Sequence, residues 1–159
     1  MSFKGLFCAD AILIDVHAAS LKQLFQDVAS CLVVNASANG IDLNSRDIIN
    51  AALERERLGS TGVGNGVAVP HARIDGIDTV MTVFVRLDTP LDFNALDDRP
   101  VDLITFILAP KNAASAHLRA LAKVSRLLRS QDMRQRLRVA PSAEAVFALI
   151  SDNMQASAA

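Results

Sequence analysis

With 159 residues, 51% of them hydrophobic and mostly Ala, Val, Leu and Ile, the chain is long enough to bury one continuous core and has the aliphatic make-up of an α/β domain. Sixteen basic residues against 17 acidic ones leave a net charge of −1, which excludes the electrostatic footprint of a nucleic-acid or anionic-membrane binder. No apolar run reaches the length of a bilayer span.

The N-terminal stretch MSFKGLFCADAILIDVH has one Lys and acids at Asp10 and Asp15, so it does not read as a secretory signal. Cys8 and Cys31 lack motif spacing and are expected to be buried or incidental thiols of a reducing compartment, with the cytoplasm as the default. Ala11–Val16 is a short apolar run, a strand or an extended lead into the first helix. Ser20 and Gln23 fit a capping box, and Leu21, Leu24, Phe25, Val28, Ala29 and Leu32 follow at helical spacing until Asn39-Gly40. Asn44 caps a second helix over Ser45–Leu58, with Asp47 in its first turn and Gly59 at its end. Ile48, Ala52 and Arg55 share one face of it, so Arg55 points with the apolar stripe four residues before a glycine-rich loop.

That loop, Gly59–Arg73, reads GSTGVGNGVAVPHAR. Gly62, Gly64 and Gly66 alternate, which argues against a regular helix or strand interior and for positive φ or a close approach to a ligand. Val67–Val69 reads as a short buried strand ended by Pro70, and His71 follows on stiffened backbone. Neighbouring N–H groups in such turns can cradle an anion, and Ser60, Thr61 and Asn65 can bond phosphate oxygens or fix the turn. Thr79–Leu87 and Val101–Leu108 are β-branched strands, and Asp88–Pro100 between them is a loop or hairpin-like excursion. Ala109-Pro110-Lys111-Asn112 breaks the second strand. A third helix spans Ala114–Arg129, with Leu118, Leu121, Val124, Ser125 and Leu128 at core spacing. Two more helices cover Asp132–Val139 and Ser142–Ser151, and the tail Asn153–Ala159 is expected to fray. Loosely alternating helices and strands favour a single α/β sandwich, with its core over about residues 15–152.

Only His17, His71 and His117 supply imidazoles. His17 has no motif around it and reads as a surface or capping residue. His117 lies in the first turn of the third helix and leans inward, where the helix terminus favours a neutral ring and a nearby anion. There is no H-E-x-x-H and no i, i+4 histidine pair, so no metal and no cofactor is expected. Gly62-x-Gly64-x-Gly66 lacks the G-x-G-x-x-G spacing and follows a helix, and no Gly-Lys-Ser/Thr closes a P-loop. Together His71, Arg55, His117 and the glycine loop have the make-up of a phosphohistidine site, with a plain interaction module as the reading without chemistry. One nitrogen of His71 attacks phosphorus while a hydrogen bond to the other sets the tautomer, and Arg55 offers a planar fork of donors.

The run GSTGVGNGVAVPHARIDG, with Leu53-Glu54-Arg55-Glu56 before it and Ala116-His117-Leu118 after it, closely resembles the enzyme IIA domains of the fructose/mannitol class. These belong to the bacterial phosphoenolpyruvate-dependent phosphotransferase system, and the chain is most similar to the stand-alone nitrogen-regulatory members. The resemblance spans about Asp15 to Asp152. It implies a mixed β-sheet flanked by helices on both sides. It also implies phosphorylation of His71 by an HPr-type carrier charged by enzyme I, Arg55 on the phosphoryl group and His117 as a second active-site histidine. Ser60, Thr61, Gly62 and Asn65 are the expected phosphate-binding positions. Ala72 stands where the family often has Gly. No IIB-type cysteine loop or membrane segment accompanies the domain, so the expectation is a regulatory relay. Its readers in the family include potassium transport components and sensor kinases. The alternative is a sugar-specific IIA that hands phosphate to a separate IIB protein.

Overall fold

The computed structural model describes residues 6–158; the first five residues of the N-terminal stretch read above lie outside them. Strand β1 (Ile12–Val16) leads into helix α1 (Leu21–Ala38), then α2 (Ser45–Leu58). Next come the short strands β2 (Gly62–Gly64), β3 (Val67–Ala68) and β4 (His71–Ile74), and the long ones β5 (Met81–Leu91) and β6 (Val101–Pro110). Helices α3 (Ala114–Arg129), α4 (Gln131–Val139) and α5 (Ala143–Ala158) complete the order.

The helix starts follow their local chemistry. Ser20 Oγ accepts the Gln23 N–H at 3.1 Å, while Gln23 Oε1 reaches back one residue further than a capping box requires, to the Ala19 N–H at 2.8 Å. The Asn44 side chain accepts from the N–H groups of Arg46 and Asp47.

The sheet order is β1-β5-β6-β3-β2, with β4 also on β6. β1 runs parallel to β5, β5 antiparallel to β6, and β3 and β4 both parallel to β6, so the sheet is mixed. β3 and β4 amount to one strand interrupted at Val69-Pro70. Proline cannot donate, yet its carbonyl still accepts from the Ile107 N–H at 3.0 Å and carries the ladder across the gap. The break sets His71 at the start of β4 rather than in a turn.

β5 and β6 are buried on both faces, which is why their sequences read as unbroken apolar runs. Val83, Val85, Ile104, Phe106 and Leu108 face α1 and α2 with Leu24, Phe25, Val28 and Ile48. Phe84, Leu103 and Ile107 face α3 to α5 with Val124, Leu127, Leu137, Val146 and Ile150. The period-two alternation thus divides one sheet between two cores.

Four expectations change. Gly62–Gly64 does form a strand, because Asn65 (φ 59°) and Gly66 (φ 77°) make a two-residue turn whose left-handed backbone suits a tight hairpin to β3. Gly66 is confined there, since a Cβ would come within 2.5 Å of Arg138 Nη2 and 2.8 Å of Asp102 Oδ1. On α3 the buried stripe is His117, Ala120, Val124, Leu127 and Leu128. Turning His117 inward carries Leu118, about 100° further round, out to solvent, and Ser125 is exposed likewise. The two long strands extend beyond the expected ends, to Leu91 and Pro110. Finally, the tail expected to fray stays helical through Ala158 and buries Met154.

Candidate functional site

Three elements converge on His71. Arg55 comes from the last turn of α2, His71 opens β4, and His117 sits in the first turn of α3. A cavity of about 620 Å³ joins them, walled by Ala51, Glu54 and Leu58 from α2 and by Ala72 and Arg73 from β4.

The hydrogen bonds determine the tautomer of His71. Its Nδ1 lies 3.0 Å from the Val69 carbonyl oxygen, which can only accept, so Nδ1 carries the hydrogen. Nε2 then keeps its lone pair and accepts from Arg55 Nε at 3.2 Å. Arg55 is itself held, with Nη1 donating to the Gly59 carbonyl at 2.8 Å. Desolvation lowers the pKa of His71, and the Arg55 and Arg73 cations lower it further, against the Val69 hydrogen bond and Glu56. The lowered pKa favours the neutral ring, with Nε2 held by Arg55 where both residues line the cavity.

His117 packs edge-on against it, ring centroids 5.0 Å apart and planes at 63°. Only 3% of His117 is exposed, and its buried Nδ1 has no hydrogen-bond partner among the described residues. Desolvation, with His71 and Arg73 behind it, pushes its pKa down to about 4.

The loop residues have other occupations. Ser60 Oγ accepts from the Gly62 N–H at 3.0 Å and donates to the Phe93 carbonyl. Thr61 offers its N–H and its hydroxyl to the two carboxylate oxygens of Glu56. The Asn65 N–H donates to Asp97 Oδ2 at 2.9 Å, and its carbonyl accepts from Arg138. At Gly62 a Cβ would stand 2.8 Å from the Cβ of Ala95, so the glycine is needed for close packing. None of Ser60, Thr61, Gly62 or Asn65 lines the cavity at His71.

His17 lies apart, two-thirds exposed, with Nδ1 3.1 Å from Asp88 Oδ1. Cys8 is exposed and Cys31 half-buried, both free, and burial pushes the Cys31 thiol up. Among the described residues no group of His, Cys, Asp or Glu is arranged to hold a metal, and no helix is long and apolar enough to cross a membrane.

Arg73 escaped the sequence argument although a signal was present. Residues two apart on a strand share a face, so a strand beginning at His71 puts Arg73 beside it. Glu54 and Leu58 were hidden for a different reason, since they flank the apolar stripe of α2 rather than belong to it.

A family model described as the phosphoenolpyruvate-dependent sugar phosphotransferase system, EIIA 2, matches residues 6–153. The chain is 38% identical over 151 residues to the nitrogen regulatory protein of Bradyrhizobium diazoefficiens, covering 95% of each. It is 36% identical over 140 residues to that of Pseudomonas aeruginosa, covering 88% of each. The crystal structure of nitrogen regulatory protein IIA-Ntr from Neisseria meningitidis matches with a TM-score of 0.82 at 35% identity, over 90% of this chain and 94% of that one.

Proposed function

The chain belongs to the EIIA 2 family of the phosphoenolpyruvate-dependent sugar phosphotransferase system, and on that premise we propose that it accepts phosphate on Nε2 of His71 from a histidine-phosphorylated HPr-type carrier. Enzyme I charges that carrier. The observation that carries the proposal is the Val69 carbonyl on Nδ1, which leaves Nε2 as the ring nitrogen able to attack.

The Nε2 lone pair forms the new N–P bond as the donor's N–P bond breaks and its electron pair returns to the donor imidazole. No proton has to cross between the partners. Before transfer the Arg55 Nε–H occupies the attacking lone pair, so Arg55 exchanges that bond for the phosphoryl oxygens as phosphorus arrives. Such a transfer asks the protein mainly for alignment and charge stabilisation. Arg55 supplies a fork of donors, Arg73 a second positive charge, and His117 a neutral imidazole on the wall of the same cavity. Helix α3 begins without a side-chain cap at Ala113, so its partial positive charge lies at the same end. Ser60, Thr61, Gly62 and Asn65 serve by holding the turn that aims β3 and β4.

The phosphorylation state would then be read by regulatory targets, in keeping with the nitrogen regulatory relatives; potassium transport components or sensor kinases are the readers that the family resemblance implies. The test is to mix the full chain with phosphoenolpyruvate, enzyme I and an HPr-type carrier, then locate the phosphate by mass spectrometry. One acid-labile, alkali-stable phosphate on His71 is expected, with none on His71→Ala. An acid-stable label on Ser60 or Thr61, or a label kept by His71→Ala, defeats the proposal. Rapid loss of label to a fructose- or mannitol-type IIB protein would assign the chain to sugar uptake instead.

A further inference from the structure

The face of the sheet packed by α3 and α4 holds a second cavity, of about 230 Å³, separate from the one at His71. Val67, Val69 and Leu128 give it an apolar floor, all of them buried. Asn65, Ser125, Arg129 and Arg134 supply its polar groups.

Arg134 is only 9% exposed, and burying a guanidinium without a carboxylate is costly. Its Nη1 caps the end of α3, donating to the carbonyls of Leu128 at 2.9 Å and Arg129 at 2.8 Å, where the negative end of the helix dipole offsets part of the charge. Capping accounts for that nitrogen alone. Nε and Nη2 have no acceptor among the described residues, and neither has the Arg129 side chain. The acids nearby are engaged elsewhere: Asp102 is gripped by the Arg138 fork, and Asp97 accepts from the Asn65 and Arg99 N–H groups. Two arginines with no carboxylate partner among the described residues therefore line a cavity with an aliphatic floor.

We propose that this cavity binds a small organic anion, its oxyanion head on Arg129 and Arg134 and a short aliphatic tail on Val67, Val69 and Leu128. Planar forks suit carboxylate and phosphate oxygens alike, and the volume lies below that of drug-sized sites. Val69 connects the two cavities, because its side chain floors this one while its carbonyl holds His71 Nδ1. The binding proposal itself does not rest on the phosphoryl-carrier reading.

The test is an NMR titration of the full chain with 3-methylbutanoate and with isobutyl phosphate, using 3-methylbutanamide and inorganic phosphate as controls. Either tailed anion should give saturable shifts at Gly64, Asn65 and Ser125 and at the Val67 and Val69 methyls. The neutral amide should give none. Arg129→Gln, at an exposed position, should weaken binding roughly tenfold or more. Arg134→Lys keeps the charge but loses the fork, and should weaken it too. Binding that survives in His71→Ala separates this site from the carrier reaction. Absence of saturation, equal shifts from the amide, equal binding of inorganic phosphate, or an unaltered Arg129→Gln protein would each overturn the proposal.

Discussion

Replacing Arg55 by Lys tests the core of the chemistry. Arg55 spans two anchors, Nε to His71 Nε2 at 3.2 Å and Nη1 to the Gly59 carbonyl at 2.8 Å. A lysine keeps the charge, but its single nitrogen cannot hold Gly59 and serve the phosphoryl group together. One charge-assisted hydrogen bond lost in the transition state is worth about 1.5–3 kcal/mol, so transfer should slow about 10- to 100-fold. The fold should survive, because the Gly59 carbonyl lies at the exposed end of α2. Rapid-quench measurement of transfer from a phosphorylated HPr-type carrier gives the rate, and the His71 ring titration gives an independent check. Arg55 is one cause of the lowered His71 pKa, so Arg55→Gln should raise that pKa toward its ordinary value while Arg55→Lys leaves it low. A transfer rate within about twofold of the parent, in a folded Arg55→Lys protein, would refute the assignment.

His117 titrates near 4 in the folded protein, below its unfolded value of about 6.5. The unfolded chain therefore takes up its proton first, and stability should fall as the pH drops from about 6.5 to 4, by about 3 kcal/mol in all. Urea unfolding across that window should show the slope, and His117→Gln should flatten it. Gly66→Ala must accept a positive φ and a Cβ crowded by Arg138 and Asp102, so it should cost about 2 kcal/mol or more in the same unfolding assay. Thr61→Val severs the hydroxyl from Glu56 and should destabilise by about 1–3 kcal/mol without slowing phosphoryl transfer. A slowed transfer at unchanged stability would instead put Thr61 on the phosphate.

Much of the site was legible one element at a time. The Asn44 cap fixed the phase of α2, and that phase put Arg55 on the inward stripe. The Val-Pro-His run at the end of the glycine loop singled out His71. On α3 the same logic turned His117 inward and Leu121 against the core but misjudged Leu118 and Ser125, which face solvent although they fall at the same helical spacing. Helical spacing gives a stripe, and only the surface that receives it decides which edge of the stripe is covered. The Asn65-Gly66 pair was a hairpin signal in plain view, masked by the glycines around it.

What the amino-acid order alone determined are features that depend on neighbours within a turn or two: the helix starts, the two long strands, the glycine turn, and the placing of Arg55 and His71 near its ends. The pairing of β3 and β4 with the same strand, the 5.0 Å meeting of His71 with His117, and the Val69 carbonyl that selects Nε2 were decided by the folded chain. The reason is reach. Hydrogen bonds and side-chain periodicity within one element are written into adjacent residues, whereas contacts across 46 positions, as between residues 71 and 117, exist only after the sheet and both layers of helices have packed.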